Sequence, residues 1–284
     1  QSSAATVARM ATGTATVNGV KIRRFPVFNR FNSLRRLLAA VAYRLRLPYN
    51  DWLRTFQTGP LIPGMTDAIA RSAADIIVAA AFPLMHMYYA LRGARRTGIP
   101  VVFLGAIHTS DAWGYDRRMI YRAIRQADAY LALTTHERDH LVARGIGTDT
   151  ITVVGPGVNP DVFAAGDGAK VRQQHHWGEA PVVAMMAKQT ARKGFDLLLE
   201  AMSQVWRGYP DTHLLLAGAR TPYSEQITSS IRRLPQAQQK KVTVVDDFDE
   251  DEKADLLSAC DIFVLPSGQE SFGIAFLEAW ACAK

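Results

Sequence analysis

Two carboxylates eight residues apart sit near the end of the chain, Glu270 and Glu278. Glu270 closes the loop Ser267-Gly268-Gln269-Glu270, which follows the apolar run Asp261–Pro266. A helical pattern opens near Ser271-Phe272-Gly273-Ile274 and carries Glu278. At about 1.5 Å per residue, the carboxylates lie on the order of 10 Å apart along the helix axis. Backbone N–H groups at a helix start favour an anion, and Gly273 lets a phosphate approach the backbone closely. That span fits a diphosphate-bridged ligand whose hydroxyls donate to a carboxylate at each end. The same residues also fit a plainer arrangement, with Glu270 as a helix cap and Glu278 solvated.

A second candidate is Lys188-Gln189-Thr190-Ala191-Arg192-Lys193-Gly194, after the apolar run Pro181–Ala187. Three cations within six residues at the carboxyl end of a strand can neutralise phosphates. Each charge-assisted hydrogen bond contributes roughly 1.5–3 kcal/mol. The alternative is a solvated basic turn. A third candidate, His136-Glu137-Arg138-Asp139-His140, fits the His-Glu-x-x-His zinc pattern, with two imidazoles on one helix face. Against it, the helix follows a buried strand, and its middle residues, Arg138 and Asp139, are charged. Zinc hydrolysis therefore stands as the minor alternative.

The elements that must position these residues alternate in type. Apolar runs rich in β-branched residues occur at Asp75–Ala80, Pro100–Leu104, Asp128–Leu133 and Ile151–Val154. They recur at Pro181–Ala187, His213–Gly218, Val242–Val245 and Asp261–Pro266. Continuous apolar runs are what parallel strands buried on both faces require. Helical patterns lie between them, at Leu84–Arg96, Trp113–Gln126 and Glu137–Arg144, then at Phe195–Trp206, Ser224–Leu234 and Lys253–Ala259. This predicts an α/β protein of two doubly wound, Rossmann-like parallel-sheet domains facing a cleft. The Gly/Pro-rich stretch Gly155–Pro160 separates them, giving domains at 1–158 and 159–284. Ligands then belong beyond the carboxyl ends of the strands. No strand and Gly-rich turn opens the first domain, and the last helix, Phe272–Lys284, has no stop signal. Both domains therefore read as incomplete.

Composition narrows the class. The 284 residues are 48% hydrophobic and 21% charged, as in globular chains of about two domains. Two cysteines, Cys260 and Cys282, are too few for a disulfide framework and read as buried small residues. The longest apolar candidate, Ile76–Met85, is short of the roughly 18 residues of a span and contains Pro83. Gln1 is followed by no signal-peptide core, so the expectation is a cytoplasmic chain. Asp246, Asp247 and the run Asp249–Glu252 read as a solvated loop and a helix start.

The net charge is +7, unevenly placed: 20 basic and 9 acidic residues up to Val158, then 13 and 17. A basic first half points to an anionic partner. Arginine-rich genome composition is the plain alternative. In Ser33–Leu47, the side chains of Leu34, Leu37, Leu38, Val41 and Leu45 share one helical face, with Arg35, Arg36, Arg44 and Arg46 off it. Such a helix rests on an anionic membrane or packs on its own domain. The expectation is a lipid-linked or otherwise anionic acceptor. No aromatic-interleaved basic stripe or zinc-finger spacing supports nucleic acid.

The segment Leu265-Pro-Ser-Gly-Gln-Glu-Ser-Phe-Gly-Ile-Ala-Phe-Leu-Glu-Ala-Trp-Ala-Cys282 resembles the Glu-x7-Glu signature of retaining family 4 glycosyltransferases of GT-B fold. The segment from Val153 to Phe163 resembles that family's interdomain stretch, and Lys193–Ala201 and Leu214–Gly218 match in order and spacing. The resemblance runs from about Asp75 to the end. It implies a nucleotide-diphosphate sugar donor held by the second domain. Glu278 would bind the ribose hydroxyls and Glu270 the transferred sugar. Phe272, Gly273 and Ile274 would offer N–H groups to the diphosphate. Lys188 and Lys193 would neutralise the leaving phosphates. The family usually has Arg after Gly where this chain has Lys188 after Ala187, which loses the bidentate fork and leaves Arg192 to help. His108, in Gly105-Ala-Ile-His-Thr-Ser110, matches a histidine placed against the donor sugar.

The resemblance further implies transfer with retention and without a metal, the leaving phosphate taking the acceptor proton. It places the family's first Gly-rich loop before Gln1, and a strand and glycines beyond Lys284. A catalytically silent sugar-nucleotide or glycan binder of the same fold is the second class of function.

Overall fold

The eight apolar runs become the strands of two four-stranded parallel sheets. The computed structural model describes residues 11–28, 31–80 and 84–284. Pro83, inside the apolar stretch noted above, lies outside the described residues. The chain divides into two units, Gln1–Gly155 and Pro156–Lys284.

The described residues of the first unit begin with a hairpin absent from the strand series above. β1 (Gly13–Val17) pairs antiparallel with β2 (Val20–Arg24). Asn18 and Gly19 join them with φ of 49° and 79°, the two positive dihedrals a tight primed turn needs. Then follow α1 (Asn32–Arg44), α2 (Asn50–Thr58), α3 (Met65–Ala70), β3 (Ile77–Ala79), α4 (His86–Ala94) and β4 (Val101–Leu104). The unit continues through α5 (Arg118–Ile124), β5 (Ala129–Ala132), α6 (Thr135–Val142) and β6 (Ile151–Val153). Its parallel sheet has the order β3-β4-β5-β6, which runs one way over the described residues. Met87, Phe103, Ile120, Tyr130 and Leu141 are at its buried centre.

Two local departures have clear causes. α5 is shorter than the expected Trp113–Gln126. The Ala112 and Trp113 carbonyls accept from the buried Arg54 guanidinium at 3.1 and 2.9 Å, and Gly114 O accepts from Arg117 at 2.6 Å. Those carbonyls hold a loop where a first helical turn was expected. In α1 the buried residues are Ala39, Ala42 and Arg35, the last only 8% exposed. The Arg35 guanidinium donates to Phe56 O at 3.3 Å and lies 5.3 Å from the Phe56 ring centroid. The leucine stripe faces outward, with Leu37 60% exposed. Packing of that stripe on its own domain is therefore not what forms.

The second unit runs α7 (Pro160–Ala164), α8 (Gly168–Gln174), β7 (Val182–Met186), α9 (Phe195–Gly208), β8 (His213–Gly218) and α10 (Ser224–Arg232). It ends with α11 (Gln236–Gln239), β9 (Val242–Asp246), α12 (Glu250–Ser258), β10 (Ile262–Phe263) and α13 (Ile274–Ala281). The sheet order is β10-β7-β8-β9, all parallel, so the winding reverses at β7. β7 is buried along its whole length. Val182, Ala184 and Met186 enter a core with Leu215, Leu257 and Cys260, while Val183 and Met185 enter another with Phe195, Met202 and Leu216. Strand alternation thus feeds two apolar layers, which is why the run has no polar side.

β10 is shorter than expected, although Asp261 N and Val264 N still donate to Val182 O and Ala184 O at 2.8 Å. Pro266 has no N–H with which to extend the ladder. Cys260 and Cys282 are buried and unbridged, and burial pushes the Cys260 thiol up to about 11. Asp249 caps α12 in a capping box with Glu252. Among the described residues no helix is long and apolar enough to cross a membrane.

Candidate functional site

In an open parallel sheet the reversal of strand order leaves a crevice at the carboxyl ends. In the second unit that crevice holds a cavity of about 450 Å³. Its wall follows the sheet. Glu270, Gly273, Ile274 and Glu278 come from the β10–α13 connection and α13, Lys188 from after β7, Gly218 from the end of β8 and Ala219 from after it, and Asp247 and Phe248 from after β9. Lys193 and Lys253 complete the charged lining. The cavity thus brings together six residues singled out above, Lys188, Lys193, Glu270, Gly273, Ile274 and Glu278, with Gly218 from the end of the matched stretch Leu214–Gly218.

The floor is tied by a residue given no role above. Gln189 is buried, and its Nε2 donates to Gly218 O at 3.1 Å and to Asp246 Oδ1 at 2.6 Å. Its backbone N–H donates to Ala219 O at 3.0 Å. One amide therefore locks the ends of β7, β8 and β9 together. A β-carbon on Gly218 would overlap the Ala187 carbonyl, so only glycine leaves β8 this close to its neighbour.

α13 begins at Gly273, with φ 86° and no side-chain cap. Its first N–H groups lie at the positive end of the helix dipole, beside the cavity. One turn later Glu278 is 7% exposed, and its Oε1 accepts from Lys253 Nζ at 2.6 Å. Glu270 accepts from Lys193 Nζ. The plainer arrangement fails for both carboxylates, because each is held by a lysine of another element. Lys253 was not foreseen: it lies 25 residues from its partner, and only the packing of α12 against α13 joins them. Asp246 and Asp247, expected as a solvated loop, are both exposed; Asp246 closes β9 and accepts from Gln189, and Asp247 lines the cavity.

Three predicted residues stand apart. Arg192 and Phe272 are not in the cavity lining. The Arg192 carbonyl instead accepts from Gly268 N at 3.0 Å, joining the two loops that carry Lys193 and Glu270. His108 belongs to the first unit, on the loop after β4, where its ring meets Tyr115 edge-on at 5.0 Å.

The His-Glu-x-x-His segment spans α6, but its chemistry is spent elsewhere. Glu137 is 3% exposed and accepts from Tyr130 Oη at 2.6 Å, Ile107 N at 2.9 Å and Leu133 N at 2.8 Å. Burial and the adjacent carboxylate push the Tyr130 hydroxyl's pKa up, so it stays a donor. His136 Nε2 lies 3.1 Å from Thr109 Oγ1, and His140 Nε2 lies 3.3 Å from Tyr121 Oη. The two imidazoles have separate partners, and the carboxylate supports the loop that carries His108. Among the described residues no group of three His, Cys, Asp or Glu could hold a metal ion. The zinc-hydrolase alternative is corrected on these grounds.

Solved structures share this architecture. The chain superposes on HepE of Anabaena, crystallised with UDP and glucose, with a TM-score of 0.67 at 18% identity, covering 92% of this chain and 77% of that one. It superposes on a UDP-forming α,α-trehalose-phosphate synthase from Burkholderia xenovorans with a TM-score of 0.69 at 11% identity, covering 96% and 72%. The fold is therefore that of the GT-B glycosyltransferases, an α/β architecture with Rossmann-like parallel sheets.

Residues 11–162 match Glycosyltransferase Family 4, and residues 167–284 match Glycosyl transferases group 1. The chain belongs to glycosyltransferase family 4. A D-inositol 3-phosphate glycosyltransferase of Segniliparus rotundus is 32% identical over 164 residues, covering 56% of this chain and 36% of the relative. A GDP-mannose-dependent alpha-(1-6)-phosphatidylinositol monomannoside mannosyltransferase of Mycolicibacterium smegmatis is 27% identical over 175 residues, covering 58% and 45%. The chain thus spans less than half the length of these curated relatives.

Proposed function

We propose that the chain is a retaining, metal-independent glycosyltransferase that moves a sugar from a nucleotide-diphosphate sugar to an acceptor hydroxyl. The observation that carries this reading is one cavity lined by a helix N-terminus without a side-chain cap, three lysines and two carboxylates, each held by one of those lysines. In this reading the diphosphate lies at the start of α13, where Gly273 and Ile274 line the cavity; the share of Phe272, which does not line it, rests on the sequence resemblance. Lys188 and Lys193, with Arg192 nearby, neutralise the diphosphate's charge. Glu278 takes the ribose hydroxyls in place of Lys253. Glu270 contacts the transferred sugar, and the base lies over Gly218, towards β9. The assignment of His108 to the donor sugar rests on the sequence resemblance.

In this reaction the bond from the anomeric carbon to the diphosphate oxygen breaks, and charge grows on the departing phosphate. Preorganised N–H groups and lysines stabilise that charge as it forms. The acceptor oxygen bonds to the same face of the sugar and gives its proton to a phosphate oxygen. Configuration is retained, and no protein nucleophile is needed.

The acceptor proposed is a glycan or a lipid-linked, anionic molecule. Three things support it: the basic first unit, the outward leucine stripe of α1, and relatives named for inositol phosphate and phosphatidylinositol mannoside. Residues 33–47 would make a peripheral contact with the cytoplasmic membrane face. A silent sugar-nucleotide binder would share the same cavity and differ only in turnover.

The test is thermal stabilisation by nucleotides and nucleotide-sugars, without metal, on wild type and Glu278→Ala. A nucleotide at 100 times its Kd should add about 2.7 kcal/mol, seen as a rise of several degrees. The rise should vanish in the variant. A folded wild type that no nucleotide stabilises would reject the reading. Release of nucleoside diphosphate with an added acceptor separates an enzyme from a silent binder.

A further inference from the structure

We propose that Asp247 selects guanine as the base of the donor. The proposal rests on the donor-site reading above. Neighbouring strands are about 4.8 Å apart, so the wall from β10 to β9 spans roughly 14 Å. With the phosphates at the β10–α13 end, the far end of the ligand, its base, meets the residues that follow β8 and β9.

Those residues are Ala219, Asp247 and Phe248. Phe248 is half-buried against the core and offers an apolar surface to a flat ring. Asp247 is the group there that can read an edge. It has φ 51°, a left-handed conformation that Asp and Asn tolerate better than most residues. Its Oδ1 accepts from Arg220 N at 3.0 Å, which fixes the carboxylate. The preceding residue, Asp246, is held by Gln189 and by Arg220 NH1 at 3.2 Å. The carboxylate is therefore set in place before any ligand arrives, with further lone pairs to offer.

A carboxylate only accepts, so the base it favours is the one with adjacent donors. Guanine presents N1–H beside its 2-amino group, matching the two lone-pair directions of a carboxylate. Uracil presents a single N3–H between two carbonyl oxygens, which a carboxylate repels. Adenine presents its amino group beside the N1 acceptor, which is repelled likewise. Donor and acceptor arithmetic thus favours guanine over both. It also gives the 2-amino group a measurable share, because inosine keeps N1–H and lacks that amine.

Calorimetric titration of the full chain with GDP, IDP, UDP and ADP tests this. GDP is expected to bind at least about tenfold more tightly than UDP or ADP, with IDP between them. Asp247→Asn keeps the left-handed backbone and changes an acceptor to an amide. In that variant the GDP-to-UDP affinity ratio should collapse to within about threefold of unity. UDP or ADP binding to wild type as tightly as GDP overturns the proposal, and so does an undiminished GDP preference in Asp247→Asn. Either result leaves the donor site standing, since a nucleotide has bound. Failure of all four nucleotides to bind overturns the donor site and the proposal together.

Discussion

Two buried carboxylates sit on helices that each follow a parallel strand, Glu137 in α6 of the first unit and Glu278 in α13 of the second. Glu137 is held by two backbone N–H groups and a tyrosine hydroxyl. Glu278 is held by the end of a lysine side chain and faces a cavity. Backbone donors cannot leave without moving a strand end and a loop. A lysine ammonium on a four-carbon stem can swing away and be replaced by a ligand hydroxyl. The difference separates a carboxylate tied into the fold by backbone donors from one that, in the proposed reading, exchanges its lysine for a ligand, although both are buried.

The sharpest way to break this comparison is to delete each carboxylate. Glu137→Ala leaves Tyr130 Oη and two buried N–H groups without their acceptor. The expected loss is about 3–5 kcal/mol in urea unfolding. Glu278→Ala should cost far less without ligand, within about 1 kcal/mol, because Lys253 can turn towards solvent. Its larger effect should be loss of the nucleotide-dependent stabilisation. Equal losses of ligand-free stability in the two variants would erase the distinction.

The same contrast shows what was legible in the sequence. The apolar runs located all eight parallel strands, because strands buried on both faces have no polar side to hide them. The loops after them gave most of the cavity wall, because the carboxyl ends of a parallel sheet converge. What escaped depends on distant contacts. Lys253 meets Glu278 only because α12 packs against α13, and Gln189 acts only once three strand ends adjoin. Periodicity placed Glu137 on a helix with His136 and His140, but it could not show that Tyr130 and Ile107 had claimed the carboxylate. The β1–β2 hairpin had a local signal, Asn18-Gly19 between β-branched residues.

A smaller effect should come from pH. In the first unit His140 is held below the usual histidine value, chiefly by burial and then by the Arg144 charge; Asp116 opposes and His136 adds to the lowering. In the second unit His175 and His213 are lowered in the same way, burial again first. The unfolded chain takes up these protons near pH 6.5, and the folded chain only at lower pH. Their stabilising contribution is therefore full above about pH 6.5 and is lost as pH falls through the folded values. The unfolding midpoint should drop between pH 7 and 5.5, and His140→Gln should make that drop shallower. An unchanged pH slope in His140→Gln would assign the effect to the second unit.

The smallest effect on stability should come from α1, where the usual sidedness is reversed. Arg35 is buried on Phe56 while Leu37 stands in solvent. Alanines at 39 and 42 let the helix lie close to α2, so the apolar stripe is not needed for that contact. Leu37→Glu should then change unfolding free energy by no more than about 0.5 kcal/mol. It should also weaken sedimentation with anionic vesicles, since it removes apolar contact and adds repulsion on a helix bearing Arg36 and Arg44. A loss above about 1 kcal/mol would show that the stripe belongs to the fold after all. Equal sedimentation with neutral and anionic vesicles would remove the electrostatic half of the membrane proposal and leave the arginines as plain surface charge.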